Sequence, residues 1–142
     1  MEQKNKIHPC LWFNGNAREA ADFYCSVFPD SGLISENPTV VMFHIKGHTF
    51  MGLNGGPHFT FNESVSFVIH CDTQEEIDDY WEKLTREGQE SMCGWLKDKY
   101  GVSWQVVPSQ IASLMQEPER AKRVMAAIMN MSKLDLKVLM EA

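Results

Sequence analysis

No stretch of this 142-residue sequence approaches the run of about 20 apolar side chains that crosses a bilayer, so a membrane span is not expected. Positive charge is scarce as well. Thirteen Lys and Arg stand against 19 Asp and Glu, giving a formal charge of −6. That balance supplies no basic patch for nucleic acid or for an anionic membrane surface. The densest basic stretch, Arg120 to Arg123, lies beside Glu117 and Glu119 and reads as the solvated face of a helix. Glycine is missing where a nucleotide-binding turn needs it. Phe13-Asn14-Gly15-Asn16 offers a single glycine, and Gly55-Gly56 leads into Pro57 rather than a helix. No cofactor of that kind is expected. The start, Met1 to Lys6, is polar, so a signal peptide is not expected and Cys10, Cys25, Cys71 and Cys93 are not expected in a secreted context. They read as reduced thiols in a cytoplasmic protein.

What is present is an ordinary globular composition, 44% hydrophobic and 23% charged, over a length that suits one domain. Residues 7 to 13 read as a strand, placed at an edge or a strand start by Pro9, which donates no ladder hydrogen bond. Asn16 is the expected N-cap of a helix with Ala17, Ala20, Ala21, Tyr24, Val27 and Phe28 on one face. Short strands follow at 32–36, 40–45 and 49–53. The unit then repeats. A shift of 57 places Asp22-Phe23-Tyr24 on Asp79-Tyr80-Trp81, and internal repetition constrains a fold strongly. In the second unit a strand at 64–71 precedes a helix capped by Asp72 or Thr73. Its buried face is Ile77, Trp81 and Leu84, with strands after it at 90–93, 95–97 and 102–107. The expectation is a single domain, residues 1–142, of α+β class. It contains two β-α-β-β-β modules, about 7–57 and about 64–108, and a helical tail over 109–142. In the tail Ala121, Val124, Met125, Ile128 and Met129 share a helical face, and the methionines read as core packing or a subunit contact.

Two such modules in a chain of this size resemble the vicinal oxygen chelate superfamily, the glyoxalase and bleomycin-resistance fold. The segments Phe13 to Ala17, Asp22-Phe23-Tyr24, Leu53 to Pro57, Cys93 to Asp98 and Gly101 to Gln105 are similar to its PhnB-like subgroup, often labelled 3-demethylubiquinone-9 3-methyltransferase. The resemblance covers essentially the whole chain, tail included. It implies that the modules curl into a cup-shaped open barrel around a small-molecule ligand, and family habit suggests a homodimer. Methyltransferase chemistry is not expected, since the hairpin-rich order and the single Gly15 suit no parallel nucleotide-binding sheet.

Metal-dependent members of the superfamily carry four ligands, and alignment places those positions at Pro9, about Gly52, Ser66 and Gln105. Proline and glycine side chains ligate nothing, and neutral Ser and Gln suit zinc or nickel poorly. The implied site is therefore metal-free. Alternation puts His8, Cys10 and Trp12 against the helices and Pro9, Leu11 and Phe13 on the inner face. The expected inner faces hold Phe13, Asn54, Ser66, Val68, His70, Ser103 and Gln105; Trp95 is a further candidate whose face the alternation leaves open. This is an apolar cavity with a few polar groups, as small-molecule sites are. Phe13, Asn54, Ser66, Trp95 and Gln105 are the expected ligand contacts. His70 reads either as a general base or as a hydrogen-bonded strand-end histidine. Cys93 reads either as a nucleophile or as a packed thiol. Two functions follow: a metal-free binding protein for an apolar or aromatic ligand, or a glyoxalase- or dioxygenase-like enzyme using His70 or an unrecognised metal.

Overall fold

Strict alternation in Val40–Ile45 decides the first sheet. Val41, Phe43 and Ile45 are buried while Val40, Met42 and His44 are half-exposed. In the computed structural model, which describes residues 6–142, the chain divides between Phe61 and Asn62 into two compact units. The first unit runs β1 (Cys10–Phe13), α1 (Ala17–Val27), β2 (Ser31–Glu36), β3 (Val40–Ile45) and β4 (His48–Asn54). Its strands lie in the order β1-β4-β3-β2, with β1 parallel to β4 and the other pairs antiparallel. The buried stripe of α1, Ala17, Ala20, Ala21, Tyr24 and Val27, covers one face of this sheet. Tyr24 stacks on Phe43, and Phe43 stacks on Phe50, with ring centroids 6.2 and 5.5 Å apart. Gly52 lets α1 approach closely: a Cβ there would stand 3.2 Å from that of Ala17.

The second unit repeats this order with β5 (Ser66–Cys71), α2 (Gln74–Thr85), β6 (Gln89–Glu90), β7 (Trp95–Lys97) and β8 (Ser103–Pro108). Its sheet runs β5-β8-β7-β6, with β5 parallel to β8. Ile77, Tyr80, Trp81 and Leu84 of α2 are buried, as are Ile69, Cys71, Leu96, Trp104 and Val106 of the sheet. The expected α+β class with two β-α-β-β-β modules is the observed one. The 57-residue repeat also holds, since Tyr24 and Trp81 are both buried on the sheet-facing side of their helices.

The tail folds as α3 (Ile111–Leu114), α4 (Pro118–Ile128) and α5 (Leu136–Glu141) around a small core of Leu114, Val124, Ile128, Leu134 and Leu139. Gln74 ties it to α2: its Nε2 donates to Leu134 O (3.0 Å), and its Oε1 accepts from Leu136 N (2.7 Å). Among the described residues no helix is long and apolar enough to cross a membrane.

Four expectations need correction. The strand expected over 7–13 is ordered as a ladder only from Cys10, although the Pro9 carbonyl still accepts from Met51 N at 3.0 Å. The strand expected over 90–93 shrinks to Gln89–Glu90, because Cys93 takes a left-handed backbone (φ 64°) that ends the extended run. Asn16 makes no side-chain cap. Asn54 Oδ1 reaches across from β4 to accept the first free helical N–H, that of Ala17, at 2.9 Å. In the tail Val124 and Ile128 are buried, whereas Met125 and Met129 face outward.

Candidate functional site

The face of each sheet turned away from its helix is where side chains remain accessible, and the two faces differ. In the first unit the alternation of β1 is opposite to expectation. Leu11 and Phe13 are buried, and the Phe13 ring lies beside Gly52 and Phe61 on the α1 side. Cys10 and Trp12 lie on the other face, in register with Met51 and Leu53. Phe13, at 2% exposure, is thus a core residue rather than a ligand contact. Asn54 is likewise occupied by structure: besides capping α1, it donates from Nδ2 to Pro38 O at 3.1 Å. The physical reason is the register of β1 with β4, which puts Leu11 opposite Gly52, the gap into which α1 packs.

In the second unit Ser66, Val68 and His70 of β5 share the face away from α2 with Ser103, Gln105 and Val107 of β8. Trp95 and Lys97 of β7 join them through the pairs Trp95↔Gln105 and Lys97↔Ser103. Gln105 Nε2 donates to Ser66 Oγ at 3.0 Å, fixing the amide. A concavity of about 350 Å³ opens at this face and its β6 edge, lined by Glu63, Gln89, Glu90, Trp95, Lys97 and Ser103. Its polar groups are held in place. Lys97 Nζ pairs with Glu63 Oε1 at 3.2 Å, and Trp81 Nε1 donates to Glu90 Oε1 at 2.6 Å. A hydrogen bond from its own backbone N–H, and then the Lys97 ammonium, hold the Glu63 carboxyl below the usual range. One group is left over. Ser103 is 1% exposed, and its hydroxyl has no hydrogen-bond partner. An unpaired buried hydroxyl costs about 1–3 kcal/mol, so a ligand whose entry moves the covering atoms aside and pairs it offsets that cost on binding.

Ser66, Trp95 and Gln105 therefore share one surface with His70, while Phe13 and Asn54 of the first unit are taken up in packing and capping α1. His70 is exposed at the end of β5, opposite Val107, and no described residue hydrogen-bonds to its ring. Cys93 is not on the sheet face. It sits in the turn before β7, with Sγ 4.0 Å from Met129 Sδ and the tail core beside it. Cys71, next to His70 in sequence, points the other way into the core, where burial, then Glu76 and Asp72, pushes its thiol up to about 12. It is a protonated packing group at neutral pH. Sequence reasoning passed over Lys97, although the alternation from Trp95 places it on the same face. Glu63 lies in the loop before β5, where no periodicity could have pointed to it.

The residues present do not fit a divalent metal at the superfamily's ligand positions. Pro9 and Gly52 carry no donor, and the missing side chain of Gly52 would point at Ala17 and Phe13. Ser66 and Gln105 are neutral and bonded to each other. Among the described residues no three of His, Cys, Asp and Glu come together.

Two open four-stranded sheets, each a β-α-β-β-β unit with parallel outer and central strands β1/β4 and β5/β8, form the fold that the resemblance to the vicinal oxygen chelate superfamily implies. Similar solved structures include a putative 3-demethylubiquinone-9 3-methyltransferase, PhnB protein, from Bacillus cereus. It is 34% identical, with a TM-score of 0.68, over 74% of this chain and all of the other. The fosfomycin resistance protein FosX from Listeria monocytogenes, solved with Mn(II) and sulfate, shares the fold at 14% identity. Its TM-score is 0.59, over 84% of this chain and 97% of its own. A protein from Pseudomonas aeruginosa shares it at 20% identity and a TM-score of 0.62, over 74% and 98% of the two chains. No curated protein matches. The chain belongs to the 3-demethylubiquinone-9 3-methyltransferase family, the PhnB-like branch, whose model matches residues 5–107. The tail, expected to share the resemblance, lies beyond that match.

Proposed function

We propose that this PhnB-like protein is a metal-free binder of a small apolar or aromatic molecule, held at the helix-free face of the second sheet. The observation that carries the reading is the Ser103 hydroxyl, buried and unpaired in a concavity whose wall includes the Trp95 ring. A flat ligand stacks on Trp95 and offers one polar group to Ser103, a division of labour usual in small-molecule sites. Native mass spectrometry of the protein as purified tests this by reporting metal, small molecule and subunit count together. Titration with an anilinonaphthalene dye supplies the second arm. Saturable binding weakened by Trp95→Ala but unchanged by His70→Ala is expected. A stoichiometric divalent metal, or binding indifferent to Trp95, defeats the reading.

The exposed imidazole of His70 on the same face as Ser66 and Gln105 supports an alternative, a glyoxalase- or dioxygenase-like enzyme with His70 as base. Turnover lost in His70→Ala, with a pH profile that follows the imidazole, would favour it. The methyltransferase label of the family is not extended to this chain's chemistry. Each sheet is mostly antiparallel, and the turn from β1 to α1 has one glycine. A homodimer completes the proposal, resting on the outward-facing Met125, Met129 and Met140 of the tail, and the four free cysteines support a cytoplasmic setting. Light scattering decides the oligomeric part.

A further inference from the structure

Ser103 is buried although it lies on the helix-free face of the second sheet, so groups other than α2 cover its hydroxyl. Strand order places an ion pair there. Lys97 of β7 stands beside Ser103 in the β7–β8 register, and Ser66 of β5 stands beside it on the other side. Ser66 Oγ is taken by Gln105 Nε2, and Lys97 Nζ is drawn to Glu63 Oε1, 3.2 Å away in the loop that enters β5. The ion pair therefore bridges β7 to the entry of β5 across the start of β8, where Ser103 stands between them. Neither neighbour turns a polar atom to Ser103, whose hydroxyl stays without a partner. The strap is weakly held. Its two side chains are 32% and 64% exposed, and an ion pair so open to solvent adds little to stability.

Glu63 shows what Lys97 takes at this place: a carboxylate. An ammonium and a hydroxyl are both donors, so together they suit a negatively charged group with two acceptor oxygens. Trp95 stands two residues before Lys97 on the same face, about 7 Å along the strand, within reach of a flat ring joined to such a group. Given the sheet-face binding proposed above, on which this rests, we propose that its ligand is an aromatic carboxylate. The ligand displaces Glu63, pairs with the Lys97 ammonium and the Ser103 hydroxyl, and lays its ring on Trp95. Glu63 turns out into solvent as the ligand enters. One carboxylate replaces another, so Lys97 stays neutralised and no covalent bond changes. The Ser103 hydroxyl gains the acceptor that Glu63 does not supply.

The test titrates the full chain calorimetrically with three probes built on one ring: 2-naphthoate, its neutral amide 2-naphthamide, and the cationic 2-naphthylmethylammonium. The carboxylate should bind about tenfold more tightly than the amide, and the ammonium most weakly. Glu63→Gln removes the competing carboxylate, so it should tighten 2-naphthoate by about two- to fivefold and leave the amide unmoved. A merely structural ion pair would loosen both. Lys97→Met keeps the aliphatic stem and should bring the carboxylate down to the level of the amide. Equal affinity for carboxylate and amide overturns the proposal, as does a folded Glu63→Gln that fails to tighten the carboxylate; in either case the sheet-face site itself still stands. Failure of all three probes to bind defeats that site as well. The ranking of probes on the unaltered protein requires no substitution, so it decides alone should a variant fail to fold.

Discussion

The two units have one topology and spend their polar groups differently. In the first, the face away from α1 carries Trp12, Met42, Met51 and Leu53, and the Trp12 indole is tied down by donating to Gly56 O at 2.9 Å. Phe59 meets that ring edge-on at 4.8 Å, and Gly55 lies so close beneath it that a Cβ would sit 2.3 Å from the indole. In the second, the corresponding face carries Ser66, Lys97, Ser103 and Gln105 beside Trp95. The helices start differently too. α1 borrows its cap from Asn54 on β4, while α2 caps itself, with Thr73 Oγ1 accepting from Glu76 N and Glu76 Oε1 from Asp72 N. The repeat thus fixes the packing of helix on sheet and leaves the other face free to differ. That is why polar side chains gather on the open face of only one of the two equivalent sheets.

The strongest way to break this comparison is to truncate the paired anchors. Tyr24→Ala and Trp81→Ala should each cost about 3–5 kcal/mol in urea unfolding, as large aromatic truncations in cores do. They should part company in binding. Trp81→Ala also removes the indole donor that fixes Glu90 in the concavity, so it weakens dye binding even under conditions where the protein remains folded. Tyr24→Ala does not. A silent Tyr24→Ala would mean that the units are not equivalent.

Next in size are the hairpins. In the first unit β3 and β4 are joined by Lys46-Gly47, both at positive φ, the backbone of a tight two-residue turn. In the second, β7 and β8 are joined around Asp98, a carboxylate at 3% exposure. It accepts from Tyr100 N (2.9 Å), Val102 N (3.1 Å) and Trp104 Nε1 (2.8 Å). Asp98→Ala strands three donors and should cost about 2–4 kcal/mol. Lys46→Asn, which suits the left-handed backbone at least as well, should be neutral or slightly stabilising by the same urea unfolding.

The caps give a smaller and more discriminating effect. Asn54→Ala and Thr73→Ala should each cost about 1 kcal/mol, whereas Asn16→Ala should change stability by only a few tenths. If Asn16→Ala costs as much as Asn54→Ala, the long-range cap is not what holds the start of α1.

That pair also marks how far the sequence could be read. The strands, both helices and their buried stripes follow from periodicity, because burial of one face imposes a period that the sequence must carry. The repeat placed Tyr24 and Trp81 correctly for the same reason. What failed depends on register. Which face of β1 meets α1 is decided by the parallel pairing of Leu11 with Gly52, a contact 41 positions distant, and a shift of one residue inverts every side chain. Asn54 as cap is likewise a tertiary contact. On the second sheet the alternation of β5 and β8 sets Ser66 and Gln105 on one face as expected, and the pairing of Trp95 with Gln105 settles a side that the sequence left open. Glu63 and Gln89, contributed from a loop and a strand edge, had no pattern to reveal them.

The smallest effect concerns the tail, which only the second unit carries. Lys133 Nζ lies 2.8 Å from Asp78 Oδ1, and that contact, then Gln74 Nε2, holds the Asp78 carboxyl below its ordinary 3.8. A carboxyl lowered in the folded state contributes stability that is complete above its unfolded value and lost as pH falls through the folded one. The docking of residues 131–139 on α2 should therefore hold from neutrality down to about pH 4 and loosen only below it. Both side chains are about half exposed, so solvent screens the pair and the loss is slight. Amide exchange at Leu136, whose N–H is held by Gln74 Oε1, is the measurement. It should quicken in acid in the parent and lose that added pH dependence in Asp78→Asn. The Arg18 pairs with Asp22 and Glu36 in the first unit hold no tail, so their neutralisation should leave that amide unmoved. An equal response to Asp22→Asn would show that acid acts through general destabilisation and not through the docking contact.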